Sequence, residues 1–215
     1  MKPSQVKICG ITRPRDAEVA LAEGAGHLGF ILHEKSPRYV TLSQARALFE
    51  EAGVPEEKRV AVAVDPEVDC LGRWKEGGFS VFQLHFPCDL ARDRIAEWAE
   101  LVGPENLWLA PKLPPGEPFP EDLLGLADSF LIDAFSADAY GGTGKTSDWA
   151  GFAEWQSKWP DKEWILAGGL SPENVTEAVA LSGAVRVDAN SGVESAPGIK
   201  DSVKIRAFFA SLRAT

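Results

Sequence analysis

Val6-Lys7-Ile8-Cys9-Gly10 is a short apolar run that ends on a thiol, and far along the chain Leu131-Ile132-Asp133 ends the same way on a carboxyl. Each reads as a buried strand closing on one ionisable side chain. Alternation along a strand puts Lys7 and Cys9 on one face, and Leu131 and Asp133 likewise. If that face is the interior of a parallel barrel, both groups project into the C-terminal mouth, where βα loops converge. A thiol and a carboxyl held in one mouth make a base and acid pair for proton transfer on a small molecule. Taken alone, Cys9 is as ordinary as any core cysteine, because free Cys is among the most buried residue types. An acid ending an apolar strand is harder to dismiss, since it must be satisfied or functional.

Outward from these two strings, apolar β-branched runs alternate with amphipathic stretches. Strands are expected at 6–9, 27–31, 59–64, 80–85, 106–110, 129–133, 164–167 and 185–188. Helices are expected at 15–23, 43–52, 67–76, 89–101, 121–127, 148–158, 173–182 and 201–212. Thr41 or Ser43 can cap the second helix and Ser147 the sixth, and Pro172 suits a first helical position. Eight of each, alternating, favour a single (β/α)8 TIM barrel of the α/β class spanning 1–215, although that length is short for the fold. Residues 111–120 hold five prolines. A stiff βα loop is expected there, because an interdomain linker would leave two half-barrels with uncovered sheet edges.

Composition bounds the partners. Lys plus Arg number 22 against 32 acids, a net charge of -10, which opposes binding to nucleic acid or an anionic membrane. An anionic ligand must then be drawn in by a local basic mouth. Cys9, Cys70 and Cys88 form no disulfide framework and no zinc spacing, and the three histidines suggest no metal site. No signal peptide or membrane span is expected, so a reducing cytoplasm is the default compartment.

Several loops carry candidate binding groups. Arg38, behind Ser36-Pro37, can grip a carboxylate or phosphate in bidentate fashion, or equally solvate a surface loop. Ala167-Gly168-Gly169-Leu170-Ser171-Pro172 and Asp188-Ala189-Asn190-Ser191-Gly192-Val193-Glu194 follow strands 7 and 8, where phosphate sites recur in such barrels. Gly168, Gly169, Ser191 and Gly192 would offer backbone N–H groups, with a short helix from near Gly192 aimed at the anion. His85 shares a face with Gln83 and could contact a substrate or carry a proton near neutral pH, or be structural. Gly141-Gly142-Thr143-Gly144-Lys145-Thr146 fits only a relaxed P-loop pattern. It reads as a βα loop over the mouth, with nucleotide binding a distant alternative.

Together these strings resemble the phosphoribosylanthranilate isomerases of tryptophan biosynthesis over essentially the whole chain. The likeness rests on Lys7–Thr12, Gly29-Phe30, Ser36–Val40, Gln83–His85, Leu131–Asp133, Gly141–Thr146 with Asp148-Trp149, Ala167–Val175, and Val187-Asp188 with Ser191–Glu194. The resemblance implies one (β/α)8 barrel with neither metal nor organic cofactor, acting on a small phosphosugar as a monomer or homodimer. It implies Cys9 as general base, Asp133 as general acid and Arg38 as the grip on the anthranilate carboxylate. The implied reaction is an Amadori rearrangement: ring opening, removal of the C2' proton, and a ketone at C2'. Lys7 and Asp188 are expected to pair beneath Cys9 and orient it. Phe86, Ser147, Asn190 and the proline-rich segment depart from the family pattern, and Phe86 is expected to crowd the mouth. Three other readings are a two-aspartate histidine-pathway isomerase, which Cys9 opposes, a non-catalytic phosphate-ligand binder, and a P-loop ATPase. The seven tryptophans are expected in core and helix–sheet packing.

Overall fold

The computed structural model describes residues 1–2, 5–114, 117–133 and 149–213. Its strands are β1 (Val6–Ile8), β2 (His27–Ile31), β3 (Arg59–Val64), β4 (Val81–Pro87), β5 (Leu107–Lys112), β6 (Ser129–Ile132), β7 (Glu163–Leu166) and β8 (Arg186–Ala189). They run parallel and close on themselves in chain order, β8 pairing β1 with Lys7 opposite Asp188. A short antiparallel hairpin follows, β9 (Glu194–Ala196) with β10 (Ile199–Lys200). The α-helices of the described residues are α1 (Pro14–Ala22), α2 (Leu42–Glu51), α3 (Val68–Glu76), α4 (Arg92–Val102), α5 (Trp149–Lys158), α6 (Val175–Ser182) and α7 (Ser202–Arg213).

Alternation along the strands builds two apolar layers. Val60, Val62, Val81, Trp108, Ala110, Leu131, Ile165 and Ala167 pack with Cys9 inside the barrel. The opposite residues of the same strands, such as Ala61, Phe82, Leu84 and Phe130, join a larger cluster with the helices. Apolar residues on both faces are what a covered parallel sheet requires.

The expected helix at 121–127 is replaced by a single 3-10 turn, Glu121–Leu123. Pro118 and Pro120 hold the chain extended up to the turn, and Gly125 weakens any helix beyond it. The helix position is also filled by other means. Phe119, buried, lies with its ring 5.1 Å from Phe130 and 5.0 Å from Trp164, with Trp155 and Trp159 at 5.7 and 5.6 Å. Pro111 and Lys112 of the proline-rich stretch close β5, residues 113–114 and 117–120 are irregular, and β5 and β6 pair directly through Trp108 and Ser129 within one closed barrel.

Smaller differences concern ends. Thr41 caps α2 in a reciprocal capping box with Gln44. Helix α6 begins at Val175, so Pro172 sits in the preceding turn rather than at the first helical position. The Ser171 N–H donates to Asn174 Oδ1 at 2.8 Å and closes that turn. The Ser147 cap lies outside the described residues. Among the described residues no helix is long and apolar enough to cross a membrane.

Candidate active site

Strand β1 ends at Ile8 and β6 at Ile132, so Cys9 and Asp133 each stand one residue beyond a strand, at the same end of the barrel. The Cys9 N–H still donates to the Ala189 carbonyl at 2.9 Å, which keeps the thiol on the inward face set by Lys7. Cys9 and Asp133 open into one cavity of about 620 Å³, the size of a drug-sized ligand site. Arg38, His85, Gly168, Gly169, Asp188, Ser191 and Gly192 line the same cavity. All nine residues singled out in the sequence therefore meet in one mouth.

Beneath Cys9 lies a buried ion pair. Lys7 Nζ donates to Asp188 Oδ1 at 2.8 Å, and both side chains are almost fully buried. Burial opposes the Lys7 charge, but Asp188 and Cys9 outweigh it and raise the lysine pKa. Burial pushes the Cys9 thiol above its ordinary value, Lys7 pulls it part of the way back, Asp188 adds a further upward push and Lys200 a further downward one. Lys7 is thus the stronger of two cations that favour a Cys9 thiolate against the cost of its site. Gly29 makes the contact possible: a Cβ there would stand 2.8 Å from Cys9 Sγ and 3.0 Å from Lys7 Nζ.

The loops after β7 and β8, where an anion cradle is expected, meet at the cavity. Gly168 and Gly169 both take positive φ, 91° and 66°, a conformation that suits glycine. A Cβ on Gly192 would stand 2.0 Å from the Leu170 carbonyl, so the two loops touch backbone to backbone. Among the described residues, the N–H groups of Gly168, Gly169, Ser191 and Gly192 donate to no other backbone carbonyl. Converging N–H groups of this kind bind phosphate. The expected short helix near Gly192 is a three-residue 3-10 turn, Ser191–Val193, too short for a helix dipole to matter.

His85 corrects one expectation. Its pKa is pushed down to about 4 by burial, with Lys7 and His33 adding to it, so at neutral pH the ring is uncharged rather than a proton carrier near its titration point. The Gln83 amide Nε2 lies 2.8 Å from His85 Nε2. With the amide donating, the His85 proton sits on Nδ1. Phe86 corrects another. It is fully buried in the helix–sheet layer, its ring 5.9 Å from Trp98, because alternation turns it away from the mouth that Gln83 and His85 face. The Gly141–Thr146 loop, its Lys145 and Ser147 lie outside the described residues, and so does Asp148.

Nothing in the sequence points to a role for Glu194 or Lys200, yet both are tied to the cavity through Arg38. Arg38 donates to Glu194 through Nε at 2.9 Å and Nη2 at 2.7 Å, and Lys200 Nζ donates to Glu194 Oε1 at 2.8 Å. Arg38 is therefore mostly buried and held, not a loop-solvating arginine. Positions 156 residues apart carry no local spacing signal that could have paired them.

A family model described as N-(5'phosphoribosyl)anthranilate (PRA) isomerase matches residues 6–211. The N-(5'-phosphoribosyl)anthranilate isomerase of Geobacter sp. (strain M21) is 36% identical over 216 residues, 98% of each chain. Among solved structures, the phosphoribosyl anthranilate isomerase of Thermotoga maritima matches with a TM-score of 0.81 at 30% identity, over 98% of each chain. A phosphoribosyl anthranilate isomerase in complex with reduced 1-(o-carboxyphenylamino)-1-deoxyribulose 5-phosphate matches with a TM-score of 0.78 at 28% identity, also over 98% of each.

Proposed function

The chain belongs to the N-(5'-phosphoribosyl)anthranilate isomerase family, and from that premise we propose how its residues carry the reaction. It is an isomerase of tryptophan biosynthesis that converts phosphoribosylanthranilate to 1-(2-carboxyphenylamino)-1-deoxyribulose 5-phosphate. We place it with the intramolecular oxidoreductases that interconvert aldoses and ketoses. The observation that carries the residue assignment is the convergence of Cys9, over the Lys7–Asp188 pair, with Asp133 in one cavity.

Asp133 gives a proton to the furanose ring oxygen as the C1'–O bond breaks and the anilino nitrogen forms C1'=N. The Cys9 thiolate then takes the C2' proton, and that electron pair moves to form C1'=C2' while nitrogen is neutralised. The resulting enolamine gains a proton at C1' and loses the one on its C2' hydroxyl, giving the ketone. Atoms and charge balance without an outside oxidant or reductant. Asp133 must begin protonated and Cys9 ionised, opposite to their free forms at neutral pH. Lys7 supports the second demand.

The glycine cradle of Gly168, Gly169, Ser191 and Gly192 takes the phosphate, and Asp188 reaches both Lys7 and the cavity. Arg38 takes the anthranilate carboxylate, and neutral His85 offers a hydrogen bond without adding charge. Every group named comes from one chain, so either a monomer or a homodimer can act. We take residues 1–215 as one functional domain acting in the cytoplasm, with no nucleic-acid partner, in keeping with the net charge of -10.

The test is steady-state turnover of freshly generated phosphoribosylanthranilate, followed by loss of anthranilate fluorescence. Turnover abolished in Cys9→Ala and in Asp133→Asn, with folding intact, supports the assignment. Near-normal turnover in either variant removes that residue from the chemistry.

A further inference from the structure

We propose that Glu194, itself locked by Lys200, is a positioning residue that holds Arg38 so that one defined edge of its guanidinium faces the substrate carboxylate. This rests on the function proposed above for the same cavity.

A guanidinium has two edges that can each grip a carboxylate: the side edge, with Nε and one Nη, and the end edge, with both Nη groups. Glu194 occupies the side edge, its Oε1 receiving Nε at 2.9 Å and its Oε2 receiving Nη2 at 2.7 Å. Among the described residues Nη1 has no hydrogen-bond partner, and Arg38 lines the cavity. The end edge is therefore the one left for a ligand.

Glu194 is itself held from several sides. Its Oε1 also accepts from Lys200 Nζ at 2.8 Å and from the Gly198 N–H at 3.3 Å. Lys200 Nζ donates further to the Asn190 carbonyl at 3.0 Å and to Asn190 Oδ1 at 2.8 Å. The Lys200 side chain is fully buried and Glu194 nearly so. Gly10 leaves room for the stem: a Cβ there would stand 2.8 Å from Arg38 Cδ. The clamp thus ties the β2–α2 loop to the β9–β10 hairpin at the rim of the mouth.

Charge explains why two residues are needed. Glu194 alone would cancel Arg38 and repel an incoming carboxylate. With Lys200 the trio carries one net positive charge, placed at the mouth of a chain whose net charge is -10. The clamp fixes geometry without removing the attraction.

The experiment measures kcat and KM for phosphoribosylanthranilate, and Kd for reduced 1-(o-carboxyphenylamino)-1-deoxyribulose 5-phosphate by calorimetry. The proteins are the unmodified chain, Glu194→Gln, Glu194→Asp, Arg38→Ala and Arg38→Ala/Glu194→Gln. Glu194→Gln is expected to raise KM and Kd by about tenfold, within the range for coupled neighbours, with kcat nearly unchanged. Glu194→Asp should recover part of the loss. In the Arg38→Ala background, Glu194→Gln should have no further effect on Kd. Because Glu194→Gln leaves Lys200 buried without its partner, Glu194→Gln/Lys200→Met is the second variant, and it should show the same rise in KM.

Unchanged KM and Kd in these variants would overturn the inference, as would an undiminished effect of Glu194→Gln when Arg38 is absent. If the unmodified protein binds the reduced product without turnover, the proposed function fails while the clamp is still read from Kd. If it neither binds nor turns over, both fall.

Discussion

At the residue scale, the chemistry of Cys9 is set mainly by the two charges beneath it. Burial holds the thiol up, Lys7 draws it down, Asp188 opposes Lys7 and Lys200 adds a smaller downward pull, so the thiolate population depends largely on a pair 2.8 Å apart. Lys7→Met should move the acid-side limb of the pH profile of kcat/KM, which reports ionisation of Cys9, to higher pH and lower turnover at neutral pH. A profile that stays in place would show that Lys7 does not tune the base. Cys9→Ala and Asp133→Asn each remove one proton-transfer partner, and each should lower kcat by about 10²–10⁴-fold. Thermal melts of the same proteins should stay close to the parent, since neither change opens a large cavity. A comparable loss of melting temperature would mean that structure, not chemistry, had been removed.

At the element scale, the connection from β5 to β6 covers the barrel with an aromatic plug where an α-helix stands after most other strands. Phe119 touches Phe130, Trp155, Trp159 and Trp164, so one side chain joins the loop to β6, α5, β7 and the turn between them. Phe119→Ala should cost about 3–5 kcal/mol, the range for truncating a buried aromatic ring. Denaturant unfolding measures this, with kcat little changed in the folded enzyme because Phe119 does not line the cavity. A loss below about 1 kcal/mol would show that the loop does not need its plug. Three of the seven tryptophans find their use here, and Trp98 and Trp108 are buried elsewhere in the core.

At the scale of the whole molecule, two half-buried histidines link stability to pH. His27 and His85 are both pushed down to about 4, chiefly by burial, with nearby cations including Lys7 adding to it. In the unfolded chain each titrates near ~6.5. Between these values the unfolded chain binds more protons than the folded one, so stability falls as pH falls. The melting temperature should be level above about pH 7 and decline from about 6.5 towards 4. Glu194, whose carboxyl is held below its usual range against burial by Arg38 and Lys200, adds a loss of the same sign in acid. His27→Gln should make the decline shallower. A flat melting temperature across this window would show that neither ring is kept neutral by the fold.

The alternation of strands and helices, the inward face of Lys7 and Cys9, and the glycines of the loops after β7 and β8 were all legible in the sequence. These are local consequences of side-chain alternation, β-branched runs and backbone freedom, and neighbouring residues are enough to specify them. Phe86 was open to the same rule, since the alternation that turns Gln83 and His85 inward turns it outward. Three features depended on contacts between distant parts of the chain. Phe119 fills the space where a helix was expected at 121–127, because its partners Phe130, Trp155, Trp159 and Trp164 come together only in the folded barrel. His85 became a neutral ring, because desolvation and the Lys7 charge depend on what surrounds it in space. Arg38 and the Glu194–Lys200 pair joined only when the barrel closed, because charge acts through distance in space and not through separation along the chain.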